Sequence, residues 1–314
     1  MSFRLFIYYC ALCGAWAALI GWFLGRLLPI TEDEHPLLLQ GFKAFLLGLT
    51  VALALGLVDA ISNVPLARVV TIALRGATAV VLGSLGALAS GVIGEYVQQK
   101  TQAVPYVGEI ASVVSWAITG LLIGASLGAF EIAVSLATST NLRGAIRKGV
   151  NGAIGGMVGG FLGGSLRLVL WYFLARSIAV TQGEPLSPSA LGFVVLGLCI
   201  GLLIGLAQVI LKEAWIKVEA GFRAGRELML TKDETTIGRA EACDLGLYGD
   251  NAIDRVHARI KRVNGRYILA DGETKTGTFV NDQRVVQPVT LRAGDKIRLG
   301  KSVLSFGERK KRDD

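Results

Sequence analysis

The chain has 314 residues, 52% of them hydrophobic, and its mean hydropathy of +0.54 lies well above that of a soluble globular domain. Its net charge of +8 does not point to nucleic acid, because the basic residues flank apolar runs or sit in the tail Arg309-Lys310-Lys311-Arg312, where cations ordinarily face anionic lipid. Four cysteines at these spacings make no disulfide framework, and two histidines, His35 and His257, cannot build a histidine-rich metal site, so no metal or cofactor is expected.

Phe3 to Leu28 is the first apolar run, with Arg4 before it and Arg26 after it. A bilayer core of ~30 Å takes roughly 20 helical residues, so the run is long enough to span. Cys10 and Cys13 lie inside it at CxxC spacing without a second pair, and they read as small packing side chains. A Pro29 to Pro36 loop carrying Glu32-Asp33-Glu34 separates it from a second span, Leu37 to Val58, which ends at Asp59. A third run covers Val69 to Val97 and contains Arg75, a fourth covers Ile110 to Phe130 and ends at Glu131, and a fifth covers Gly149 to Leu174 and contains Arg167. After a proline-closed loop, Gln182 to Pro188, the sixth runs from Leu191 to Leu211.

Basic residues set the orientation. Arg4, Arg68, Arg75, Arg143, Arg147, Lys148, Lys212 and Lys217 share one side, against Glu32-Asp33-Glu34, Lys100 and Glu184 on the other, with Arg26, Lys43 and Arg176 as exceptions. The positive-inside bias then places the C-terminus in the cytoplasm of a multi-pass inner-membrane protein whose helices contact the lipid bilayer. The runs also repeat. Gly120-Leu121-Leu122-Ile123-Gly124 recurs as Gly201-Leu202-Leu203-Ile204-Gly205, Gly48 to Asp59 aligns with Gly120 to Glu131, and at that same offset Arg75 falls on Arg147. Each unit reads as a hairpin with an acid and then a base at its junction. The glycine ladder Gly152, Gly155, Gly156, Gly159, Gly160, Gly163 and Gly164 admits a second helix at close range, within the chain or at a homo-oligomer seam.

From Val218 the pattern changes to short strand-like runs, Glu227-Leu228-Met229-Leu230, Arg259 to Val263 and Arg266 to Leu269, separated by turn formers such as Asn264-Gly265 and Asp271-Gly272. Short strands at regular spacing with Asn-Gly turns predict an all-β sandwich. The fold class is therefore a glycine-rich helical membrane domain of about six spans (1–217), an all-β sandwich (218–308) and a short charged tail (309–314).

The sandwich region carries Ile237-Gly238-Arg239, Cys243-Asp244-Leu245, Asp254-Arg255-Val256-His257 and Gly277-Thr278-Phe279-Val280-Asn281. Residues of this kind in this order resemble a forkhead-associated (FHA) domain, a β-sandwich that reads phosphothreonine peptides with the loops at one end. The resemblance makes Arg239 the phosphate-gripping arginine, as suits a fork of donors. It gives Gly238, His257 and Gly277 structural parts. It also marks departures: Asp254 stands where the family commonly has a phosphate-contacting serine, Lys275 replaces a threonine, and Thr276 replaces the peptide-gripping asparagine. The expected ligand contacts are Arg239, Asp254, Arg255, Lys275 and Thr276, with a cytoplasmic protein or phosphothreonine peptide as partner.

No Ser/His/Asp or Cys/His constellation, paired acids in a cleft or phosphate-binding glycine loop is visible, so the chain reads as a recognition protein and not an enzyme. The alternative reading is a channel or transporter gated by its cytoplasmic FHA-like domain.

Overall fold

The computed structural model describes residues 2–27, 35–63, 69–101, 104, 106–137, 142–177, 188–230 and 232–309. The acidic cluster Glu32-Asp33-Glu34, Arg68, the Glu184 loop and the basic run from Lys310 lie outside the described residues. Two compact units separate: a helical one, Phe6–Ala60 with Ala73–Ile210, and one that contains the chain from Leu211 on.

Six helices are long and apolar enough to cross a membrane among the described residues: α1 (Phe3–Arg26), α2 (Pro36–Asn63), α3 (Val69–Lys100), α4 (Val107–Ala137), α5 (Arg143–Ser177) and α6 (Pro188–Ile210). The shortest, α6, has 23 residues, and at ~1.5 Å per residue it still exceeds a bilayer core of ~30 Å. Pro36 and Pro188 each begin a helix, where the missing N–H would be unpaired in any case.

The helices follow one another antiparallel, and glycine lies at every seam. Gly21 of α1 faces Leu47 and Thr50 of α2, Gly48 of α2 faces Gly83 and Ala87 of α3, and Gly86 of α3 lies on Leu122 of α4. Gly120 and Gly124 of α4 meet Gly156 and Gly152 of α5 backbone to backbone, and Gly155 and Gly159 of α5 lie on Leu203 and Cys199 of α6. Gly197 and Gly201 of α6 then pack on Gly14 and Cys10 of α1, which closes the ring. At most of these seams an added Cβ would run into a neighbouring carbonyl or side chain, so alanine forces the helices apart. The α5 ladder therefore lies against α4 and α6 of its own chain. Outward faces carry Trp16, Phe23, Leu85 and Phe161, all exposed.

The C-terminal unit is a two-sheet sandwich. Its strands are β1 (Ala214–Ala220), β2 (Glu227–Met229), β3 (Glu234–Gly238), β4 (Leu245–Gly246), β5 (Ala258–Val263), β6 (Arg266–Asp271), β7 (Thr278–Val280), β8 (Gln283–Arg284), β9 (Val289–Thr290), β10 (Lys296–Leu299) and β11 (Ser302–Glu308). One sheet runs β2-β1-β11-β10-β7-β8 and the other β4-β3-β5-β6-β9. Alternate residues point inward, Ala258 and Ile260 on β5 and Ser302, Leu304 and Phe306 on β11, as a period of two demands. Ile216, Val218, Ile237, Leu245, Leu269, Ile297 and Leu299 complete one contiguous core. Asn264 and Gly265, both at positive φ, turn the β5–β6 hairpin as their identity predicts.

Candidate functional site

The loops at one end of the sandwich are held by a small polar framework, and it begins at Gly238. The end of β3 approaches the loop before β5 so closely that a Cβ on Gly238 would strike the Arg255 carbonyl. Backbone bonds fix this approach: Arg239 N donates to Asp254 O at 2.9 Å and Ala240 N to Arg255 O at 3.0 Å. His257, fully buried, sits beneath it. Its Nδ1 accepts the Asp254 N–H at 3.0 Å, so in the neutral ring the proton is on Nε2, which faces Gly277 O at 3.2 Å. One imidazole thereby joins the loop before β5 to the turn before β7. Thr274 extends the brace by accepting from Gly277 N at 3.1 Å and donating to Asp271 Oδ1 at 3.0 Å. Gly277 has φ +74°, which a side chain there would strain.

Asp271 anchors this turn. Burial pushes its carboxyl up, but donors from Thr278 and Thr274 outweigh that and hold it below the ordinary carboxylate range. Asp250 does the same for the 250–254 loop. It accepts from Lys301 N at 2.7 Å and Ala252 N at 3.0 Å, and these bonds keep its carboxyl low. Beside β3, burial opposes ionisation of Asp244, yet Lys232 and Thr236 lower it. Cys243 is buried, 3% exposed, and its thiol reaches Arg255 O at 3.1 Å.

On this framework the Arg239 guanidinium is pre-oriented by Asn251, whose Oδ1 accepts from Nη1 at 3.0 Å. Arg239, Asp254, Arg255, Lys275 and Thr276 are all exposed. The side chains of Asp254, Arg255 and Lys275 have no partner among the described residues, so their charges face solvent at the loop end. Thr276, though exposed, has its hydroxyl donating to Ala252 O at 2.6 Å, so it braces the 250–254 loop. The structure thus brings the Arg239, Asp254, Arg255 and Thr276 segments together through backbone and hydroxyl bonds, and Lys275 lies on the same turn as Thr276.

Sequence reasoning missed two residues of this surface. Asn251 hides in the turn-forming run Gly249-Asp250-Asn251, where its composition signals only a loop. Arg284 comes from β8, paired with Phe279 across the β7–β8 hairpin. Its guanidinium lies so close over Gly277 that an added Cβ would meet Nε at 2.8 Å.

Residues 235–300 match the family model of the FHA domain, and the C-terminal sandwich is an FHA domain. The chain is 25% identical over 140 residues to the FHA domain-containing protein FhaB of Mycobacterium tuberculosis, covering 44% of this chain and 90% of that protein. It is 34% identical over 91 residues to the oxoglutarate dehydrogenase inhibitor of Corynebacterium diphtheriae, covering 29% of this chain and 62% of that protein. A solved structure from a study of phosphothreonine-dependent FHA domain interactions is 29% identical, with a TM-score of 0.29, covering 32% of this chain and 100% of that chain.

Proposed function

We propose that this chain is a bacterial multi-pass inner-membrane protein that displays a cytoplasmic FHA domain and recruits a partner protein through a phosphothreonine. The observation that carries the reading is the Arg239 guanidinium, held by Asn251 at the loop end that also carries exposed Arg255 and Lys275. A planar fork of donors with further cations near it suits a dianionic phosphate. The six apolar helices supply the anchor, and the clustering of basic residues at one set of helix ends supports a cytoplasmic C-terminus. Three residues support a pocket unlike that of an ordinary family member. Asp254 opposes the ligand's charge, Lys275 supplies a compensating one, and Thr276 is committed to the neighbouring loop.

Calorimetry with phosphothreonine peptides and their unmodified counterparts tests this. Binding is expected to require the phosphate and to weaken roughly tenfold or more in Arg239→Ala, the worth of a charge-assisted bond. Equal binding of both peptide forms, or an unchanged affinity in Arg239→Ala, would overturn it.

A further inference from the structure

One cation of the helical unit stands apart from any acid. Arg167 of α5 reaches between α4 and α6, and its stem rests on Gly192 of α6, where an added Cβ would strike Cγ. Its Nη2 donates to Ser112 Oγ of α4 at 3.0 Å, the one hydrogen bond of this guanidinium among the described residues. Nε is buried without an acceptor. The ring of Trp116 lies 5.6 Å from the guanidinium carbon and that of Phe193 5.8 Å, and the two rings meet edge to face at 5.4 Å. No carboxylate among the described residues pairs with Arg167, and Glu109, a turn nearer the end of α4, is exposed. Arg75 is different, for it pairs with Glu131 at 2.9 Å.

A cation withdrawn from water without a counter-ion is costly, and in a membrane helix it marks a site. The two rings stand near the ~6 Å limit of cation–π attraction and offer no oxygen to the free donors. Packing needs no charge here, since a methionine could lie across Gly192 as well. Position indicates which acceptor is wanting. Ser112 and Phe193 lie about a turn and a half past the starts of α4 (Val107) and α6 (Pro188), some ~8 Å along each axis. With 31 residues α4 is ~46 Å long, so Ser112 falls about 15 Å from its middle, the edge of a ~30 Å hydrocarbon core. That is where headgroup phosphates begin. The N-termini of α4 and α6 open toward the same end and add positive potential.

We propose that Arg167, with Ser112 and the Trp116–Phe193 pair, forms a binding site for a phosphate group entering from that end of the bundle. The phosphate is that of an anionic phospholipid or inorganic phosphate; only the lipid source rests on the helices spanning a bilayer. Arg167 supplies the fork of donors, Ser112 fixes its orientation, and the rings exclude competing water.

The full-length protein in non-ionic detergent is titrated with phosphatidylglycerol, with diacylglycerol of the same chains, and with inorganic phosphate. Bound lipid is counted by native mass spectrometry, and phosphate binding is read from the melting temperature. Arg167→Met is expected to weaken binding of the probe that occupies the site about tenfold or more. Arg167→Lys, which keeps the charge and loses the fork, is expected to weaken it about threefold. Arg239 and the other cations are unchanged in both variants, so the difference from the parent isolates this site. Arg167-dependent binding of phosphatidylglycerol alone assigns the lipid, and of inorganic phosphate alone the free anion. Binding of both probes that is indifferent to Arg167, or no binding of either, would overturn the site. So would diacylglycerol bound as well as phosphatidylglycerol when inorganic phosphate has no effect. If Arg167→Met does not fold, parent affinity in Arg167→Lys overturns the proposal.

Discussion

His257→Ala removes the buried side chain that joins the loop before β5 to the turn before β7. The ring makes a bond with Asp254 N and another with Gly277 O, and it is fully buried. Truncation leaves a backbone donor and a backbone acceptor without a partner, at about 1–3 kcal/mol each, and the ring's volume adds a cavity that the turn at Gly277 cannot readily fill. The two orphaned groups alone come to about 4 kcal/mol, before the cavity adds to it, against a total stability of about 5–15 kcal/mol for a domain of this size. With a urea m-value near 2 kcal/mol/M, the midpoint falls by about 2 M. Urea titration of the sandwich, produced as residues 211–309 and followed by circular dichroism, reads the shift. A variant within about 0.5 M of the parent would show that the imidazole does not hold these loops together.

Asp254→Ser is expected to raise phosphothreonine-peptide affinity by up to about thirtyfold, because a unit charge ~4 Å away in water repels a near-dianionic phosphate by about 2 kcal/mol; calorimetry showing no gain would place Asp254 outside the pocket. Gly238→Ala drives a Cβ into the Arg255 carbonyl and is expected to destabilise the sandwich by about 1–3 kcal/mol, read as a lower thermal midpoint. Asp244 and Asp271 have carboxyls depressed in the folded state, so the stability they contribute is present above the unfolded value near 3.9 and is lost as pH falls through their folded values. Asp244→Asn should therefore flatten the acid limb of a stability-versus-pH curve; an unchanged limb would refute its part. Gly124→Leu, which forces a branched side chain into the α4–α5 backbone contact at Gly152, is expected to lower the melting temperature of the detergent-solubilised protein, and an unchanged melt would mean the seam is not close-packed.

Hydropathy and length were enough to read six helices, because a membrane-spanning run must be continuous and apolar whatever its neighbours are. Strand periodicity and Asn264-Gly265 gave the sandwich for an equally local reason. What was not legible depends on which way a side chain turns once the chain has folded. The repeat pairs Arg75 with Arg147, yet Lys148 is the residue seen between Asp59 and Glu131. Adjacent helical residues point ~100° apart, so the one facing the interior is set by how α5 is rotated against its neighbours. Thr276 has the same difficulty. Its identity supplies a hydroxyl at that turn, but does not record that the hydroxyl binds Ala252 O. Arg284 is brought over Gly277 by strand pairing, and no local spacing records that approach.

The ring of helices closes only when α6 packs on α1, with Gly197 and Gly201 lying on Gly14 and Cys10. In N-to-C synthesis α1 therefore keeps the Gly14 flank uncovered until α6 has been made, so this seam forms only after every described helix between the two exists. A chain stopped after α5 would leave Gly14 and Cys10 of α1 and Gly155 and Gly159 of α5 without the surfaces they pack on. The sandwich, encoded after α6, follows once all the pieces of that seam have been made.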